Sequence, residues 1–252
     1  MPDHVPALRL VDVAKSFGGV QAVSDSSMSV AVGERRALIG PNGAGKTTLF
    51  NVIAGALPAD RGSIELFGQD VTKWPMRRRA QLGLGRTYQT SQLFLQLTVE
   101  ANLFIAGAGV SGQRLQLFSP WEKRNAADDW IRRVASDIGL ERKLDVMVSA
   151  LSHGEQRQLE IGMALAMRPR LIMLDEPSSG LSPAERTFIA RLIEALPTDM
   201  TIILIEHHME LALGLADKVT VLHRGRVISD GSPDETRANA EVQSVYLGGT
   251  GA

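Results

Sequence analysis

Gly40-Pro41-Asn42-Gly43-Ala44-Gly45-Lys46-Thr47-Thr48 follows directly on the apolar run Ala37-Leu38-Ile39. Glycines at these spacings keep Cβ atoms out of the way, so successive backbone N–H groups can curl around phosphate oxygens. In such a loop Lys46 reaches the β and γ phosphates and the hydroxyl of Thr47 ligates Mg²⁺. The helix that begins near Lys46 points its positive end at the same anion. The alternative is a glycine-rich turn that merely joins a strand to a helix. Four fixed positions met in a strand-loop-helix context weigh against it and predict a nucleotide-binding protein.

Working outward, 252 residues with 44% hydrophobic content suit one large α/β domain, or a core with a smaller lobe. A net charge of −1, from 27 basic and 28 acidic residues, provides no global attraction to nucleic acid or anionic membrane. The absence of cysteine excludes disulfides and cysteine metal sites. Together with the N-terminus MPDHVPALRL, which has no charged region followed by an apolar stretch, it predicts a cytosol-like compartment. No window approaches the ~18 apolar residues of a membrane-spanning helix, so at a membrane another chain must supply the anchor.

Residues 8–36 alternate apolar and polar positions, broken at Gly18-Gly19 and Gly33, which predicts short antiparallel strands. The runs Leu38-Ile39, 171–174, 202–205 and 219–222 are continuously apolar and separated by helical stretches, as in a buried, mostly parallel sheet. Residues 99–168 carry helical spacing interrupted at 107–120, the pattern of a helical lobe inserted into the core. The expected fold is therefore α/β: a P-loop NTPase core with a mostly parallel sheet, an N-terminal antiparallel β region and an inserted α-helical subdomain. Residues 1–98 and 169–230 are expected to form the core of a single domain, 99–168 the helical subdomain, and 231–252 a C-terminal helix and tail. Ser152 with Glu155, Ser182 with Glu185 and Ser232 with Glu235 read as capping boxes, the last two with proline at the first helical position.

Leu171-Ile172-Met173-Leu174-Asp175-Glu176-Pro177 is an apolar strand ending in adjacent carboxylates. Alone it could be a solvated strand end. Downstream of a phosphate loop it reads as the second half of an ATPase site, with Asp175 holding the Mg²⁺ shell and Glu176 polarising the attacking water. Leu151-Ser152-His153-Gly154-Glu155-Gln156 opens a helix and need be no more than a capped start, although a serine hydroxyl, a glycine and exposed helix N–H groups also make an anion site.

These motifs resemble, in order and along nearly the whole chain, those of the ATP-binding cassette ATPases, whose signature reads L-S-G-G-Q or close to it. The resemblance places Gln89 at the family's glutamine-loop position, as a catalytic and metal-binding residue, and His207 at its switch-histidine position. It gives Ser152, Gly154 and Gln156 a nucleotide-binding role and offers Phe17 as the aromatic on which adenine stacks. A core phenylalanine is an equal reading of Phe17. His208 stands where the family more often has aspartate, and His207 is favoured of the two. His153 replaces the first signature glycine, and Ser179-Gly180-Leu181-Ser182 replaces a loop that commonly ends in aspartate.

The resemblance implies ATP and Mg²⁺ as cofactors and a second cassette subunit facing the first head to tail. Integral membrane permease subunits are the further partners, with a periplasmic or extracellular substrate-binding protein acting indirectly and no nucleic acid expected. The implied place is the cytoplasmic face of the inner membrane, peripherally. Arg86-Thr87-Tyr88-Gln89, the insertion around 107–121, Leu159-Glu160-Ile161-Gly162 and Ile205-Glu206-His207-His208-Met209 look most similar to ATPases of branched-chain amino acid and related urea or amide importers. The ending Val245-Tyr246-Leu247-Gly248 is shared with lipopolysaccharide export ATPases, so an export ATPase is carried as an alternative. A soluble cassette protein acting on ribosomes or DNA is a third reading. Its best support is the basic cluster Arg77-Arg78-Arg79, itself readable as a solvated helix face.

Overall fold

The structure is a computed structural model that describes residues 5–87, 93–110 and 121–247, excluding the side chains of Val110, 121–128 and Leu247. In chain order the elements are β1 (Leu8–Phe17), β2 (Val20–Val30), β3 (Arg35–Ile39), α1 (Lys46–Ala54), β4 (Arg61–Leu66), β5 (Gln69–Asp70), α2 (Met76–Gln81), β6 (Leu84–Arg86) and α3 (Val99–Val110). There follow α4 (Trp121–Asp137), α5 (His153–Ala166), β7 (Leu171–Asp175), α6 (Pro183–Ala195), β8 (Thr201–Ile205), α7 (Met209–Leu215), β9 (Lys218–His223), β10 (Arg226–Gly231), α8 (Pro233–Ala238) and α9 (Ala240–Leu247). The chain forms two compact units, one of Met1–Leu82 with Pro197–Ala252 and one of Gly83–Leu196.

In the first unit the alternating N-terminal segment forms the expected antiparallel pair, with β1 opposite β2 from Leu8–Val30 to Phe17–Val20. β4 flanks β1 on the other side and β5 extends that sheet. The continuously apolar runs behave differently. β3 lies parallel to both β8 and β9, with β10 added antiparallel at the edge. Every residue of β8 is buried, because helices and loops cover both faces of a parallel sheet. Ala37, Ile39, Val219 and Val221 pack with Ala212 and Leu213 of α7 and Val242 of α9 in one core cluster.

Arg36, on β3, is buried and fully engaged. It bonds Glu34 at 2.6 Å, Thr220 at 2.8 Å and the Ser29 carbonyl at 2.9 Å, and it pairs with Asp230. A buried cation is tolerated when its donors find such partners.

In the second unit β6 and β7 pair in parallel, with Leu84 opposite Leu171. The helices α3, α4 and α5 of the inserted segment pack on one another there. All three capping boxes form in full, at Ser152, Ser182 and Ser232, and Pro183 and Pro233 occupy the first helical turn. The basic cluster divides. Arg78 stacks over Trp74 at 3.7 Å, whereas Arg79 is 1% exposed and donates to the carbonyls of Val52, Ile53, Thr72 and Trp74. Reading the cluster as one solvated face is therefore corrected at Arg79, a cation that closes the C-terminal end of α1.

Candidate functional site

The phosphate loop leaves the end of β3 and enters α1 through Gly45, whose left-handed backbone (φ 103°) no L side chain adopts easily. A Cβ there would sit 2.2 Å from the Ala22 carbonyl oxygen, and one on Gly40 would sit 2.1 Å from that of Leu222. Glycine is required at both by close approach of other backbone. The β9–β10 turn braces the loop from behind: Gly225 N–H donates to Ala44 O at 2.8 Å, and Gly225 O accepts from Ser24 N–H at 2.7 Å.

Among the described residues no side chain caps the start of α1, and its first turn holds no acidic residue. The first N–H groups of the helix are the ones an anion would satisfy. Lys46 is 6% exposed, and its ammonium donates to Gly40 O at 2.7 Å and Pro41 O at 3.1 Å. A cation so held is pre-positioned against its own loop. Beside the loop a pocket of about 480 Å³ is lined by Pro41, Asn42, Gly43, Ala44, His223, Arg224, Ser244 and Val245. Tyr246 hydrogen-bonds to the Gly40 backbone, and burial pushes its hydroxyl up to about 12.

Phe17, at the end of β1, is 47% exposed, so it is no core phenylalanine and its ring is accessible for stacking. Lys15 lies 5.6 Å from the ring centroid while paired with Asp60 at 2.7 Å. His207 follows β8 directly, His208 is the N-cap of α7, and both imidazoles are exposed. Gln89 lies outside the described residues.

The second unit holds the carboxylates and the signature segment. Asp175 ends β7 fully buried, with Oδ2 3.5 Å from Arg86 Nη2 and its N–H donated to Thr87 Oγ1 at 3.1 Å. Burial pushes its carboxyl up, Arg86 opposes this, and the neighbouring Glu176 charge adds to it. Among the described residues its Oδ1 has no hydrogen-bond partner. A buried oxygen left this way suits a hard cation such as Mg²⁺, which takes few protein ligands and fills its shell with water and phosphate oxygens. Among the described residues no three His, Cys, Asp or Glu side chains cluster as a protein-only metal cage.

Glu176 adopts φ 48° and is 9% exposed. It lines a pocket of about 310 Å³ with His153, Gln156, Arg157, Glu160, Ser179 and Gly180, so the end of β7 and the start of α5 share one cavity.

At the start of α5, Ser152 Oγ accepts from Glu155 N–H at 3.3 Å, and Glu155 accepts from Ser152 N–H at 3.0 Å. The hydrogen bond from Lys143 holds the Glu155 carboxyl below its usual range, and the Ser152 N–H adds to it. The Gln156 amide is turned to the backbone of Val148 and Leu151. Gly154 lies against the second capping box, where a Cβ would come 2.2 Å from Glu185 Oε1. His153 lies against the Gly180 loop, its Nε2 3.2 Å from where a Cβ on Gly180 would be.

Thus the phosphate-loop residues, Phe17 and His207 belong to the first unit, and Ser152, Gly154, Gln156, Asp175 and Glu176 to the second. Three supporting residues were not anticipated from the sequence: Arg79, Tyr246 and Arg157. Arg157 had a visible signal, because it shares the buried stripe Gly154, Arg157, Ile161, Ala164 of an otherwise apolar helix face.

A sequence profile described as ABC transporter matches residues 23–179. The chain is 37% identical to the high-affinity branched-chain amino acid transport ATP-binding protein of Salmonella typhimurium, covering 96% of this chain and 98% of that one. It is also 37% identical to the lipopolysaccharide export system ATP-binding protein of Acidithiobacillus ferridurans, covering 96% of each. The ADP conformation of an ATP-binding cassette of an ABC transporter superimposes with a TM-score of 0.83 at 29% identity, covering 96% of this chain and 99% of that one.

Proposed function

The chain belongs to the ABC transporter family as an ATP-binding ATPase subunit, and from that premise we propose that it powers an importer of branched-chain amino acids or related small polar substrates. The observation that carries this reading is the near full-length likeness to a branched-chain amino acid transport ATPase. The equal identity to a lipopolysaccharide export ATPase keeps export as the second reading. The basic cluster is weaker support for a ribosome or DNA partner now that Arg79 is buried.

In the proposed mechanism the backbone N–H groups of residues 40–48 and the Lys46 ammonium hold the ATP phosphates while Phe17 stacks on adenine. Thr47, Asp175 and Gln89 would hold Mg²⁺, which would supply neutralisation of the phosphate charge. Glu176 accepts a proton from the attacking water, and His207 contacts the γ phosphate. Two subunits face each other with ATP between the phosphate loop of one and Ser152, Gly154 and Gln156 of the other, so hydrolysis releases the pair. The segment 99–168 acts as the helical subdomain that passes this motion to membrane permease subunits at the cytoplasmic face of the inner membrane. No helix among the described residues is long and apolar enough to cross a membrane.

The test is recovery of partners with a tagged Glu176→Gln variant from detergent-solubilised native membranes in the presence of ATP. The proposal expects permease subunits of an amino acid importer. Recovery of lipid-export membrane proteins supports the second reading, and recovery of ribosomal or DNA-bound proteins without a membrane subunit rejects transport.

A further inference from the structure

Arg157 is 8% exposed, and its guanidinium serves the backbone that carries Glu176. Nη2 donates to Asp175 O at 2.8 Å and to Glu176 O at 2.5 Å, and Nε donates to Pro177 O at 3.1 Å. Three consecutive carbonyls therefore converge on one cation. Nη1 pairs with Glu160 at 2.5 Å, one helical turn on, which fixes the plane of the fork.

Consecutive carbonyls cannot point the same way from an extended chain. The backbone must turn, and it does so at Glu176, with φ 48°. L residues disfavour that region, and the residue before a proline is drawn instead to extended conformations. Glu176 precedes Pro177, so its geometry runs against both preferences and persists only where the surroundings over-determine it. Arg157 supplies that constraint, and Arg157, Glu160 and Glu176 line the same 310 Å³ pocket.

We propose that Arg157 is a positioning residue for ATP hydrolysis, clamping the carbonyls of Asp175, Glu176 and Pro177 so that Glu176 is presented at the pocket wall in its left-handed turn. The inference rests on Glu176 being the general base. A lysine could offer its ammonium to one or two of the carbonyls but not the planar fork that meets all three. Released from the clamp, the backbone at 176 relaxes toward the extended region and carries the carboxylate away from the water, a misplacement of about 1 Å being worth about 100-fold in rate.

The experiment compares wild type, Arg157→Gln, Arg157→Lys, Glu176→Gln and the double variant Arg157→Gln/Glu176→Gln as full chains. It measures steady-state kcat and KM with MgATP, and ATP affinity by calorimetry. The clamp predicts that Arg157→Gln lowers kcat by about 10- to 100-fold with KM and ATP affinity within about threefold. Arg157→Lys, which keeps the charge and the aliphatic stem and so guards against misfolding of the glutamine variant, recovers part of the rate. On the Glu176→Gln background the substitution at 157 costs less than about twofold, because a positioning residue has nothing left to position. A kcat within about twofold of wild type for both single variants at 157 overturns the proposal. So does an equal loss on both backgrounds, or a loss confined to ATP affinity. Wild-type turnover by Glu176→Gln instead removes the general-base assignment itself, and this inference with it.

Discussion

Replacing Arg79 with methionine keeps an unbranched stem and removes every guanidinium donor at the end of α1. The guanidinium bonds Val52 O at 2.8 Å, Ile53 O at 2.6 Å, and Thr72 O and Trp74 O at 3.1 Å each. Val52 O keeps a bond from Gly55 N–H at 3.1 Å, so the loss falls on the other carbonyls. A buried carbonyl stripped of its donor costs about 1–3 kcal/mol, so the buried Ile53 carbonyl together with the partly buried carbonyls of Thr72 and Trp74, which water can partly serve, gives about 2–6 kcal/mol. Burial already opposes the charge, holding the guanidinium down to about 10, and relief of that desolvation offsets part of the loss. The expected net destabilisation is about 2–4 kcal/mol, a large share of the ~5–15 kcal/mol typical of a domain. Urea unfolding followed by circular dichroism reads this as a midpoint lowered by about 1 M, at a slope of about 2–3 kcal/mol per M. Arg78→Met, which loses only an exposed stack on Trp74, should shift stability by less than about 1 kcal/mol. A methionine variant at 79 within about 0.5 kcal/mol of wild type would refute the capping role of Arg79.

Gly45→Ala should weaken ATP binding at least about tenfold and destabilise the fold by about 1–3 kcal/mol, since its Cβ meets Ala22 O at 2.2 Å in a left-handed backbone. Gly43→Ala, with nothing within 4 Å, should cost only the backbone penalty of about 1–2 kcal/mol; equal ATP affinities for the two variants would contradict the close-approach argument. The capping carboxylates make a prediction in pH. Bonds from Ser182 hold Glu185 below its ordinary 4.5, and bonds from Ser232 do the same for Glu235. A depressed carboxyl stabilises the fold above 4.5 and loses that contribution as pH falls through its folded value. The Tm gap between wild type and Glu185→Gln/Glu235→Gln should therefore be full at pH 7 and close below pH 4.5; a gap that widens on acidification reverses the assigned sign.

The parts of the fold readable from sequence are those governed by neighbours along the chain. The three capping boxes need only a serine, a glutamate three residues on and, in two cases, a proline. The buried runs 171–174 and 202–205 are apolar whatever packs on them. Segments that depend on distant partners were not readable. Leu84-Gly85-Arg86 is too short to show a period and becomes strand β6 only beside β7. In the site, the phosphate loop and the Asp175-Glu176 pair carry their chemistry in residue type. The supports do not: three arginines in a row look alike until Val52 and Ile53 offer carbonyls to one of them. Residue type alone leaves Phe17 equally a core phenylalanine or an aromatic for adenine to stack on, because only its place at the end of β1 leaves the ring exposed.

The most direct measurement of the account is MgATP turnover and binding by Glu176→Gln beside wild type. With Glu176 as general base, binding stays within about threefold of wild type while turnover falls by about 100-fold or more. Turnover close to wild type would contradict the account, because another group would then be taking the proton from water.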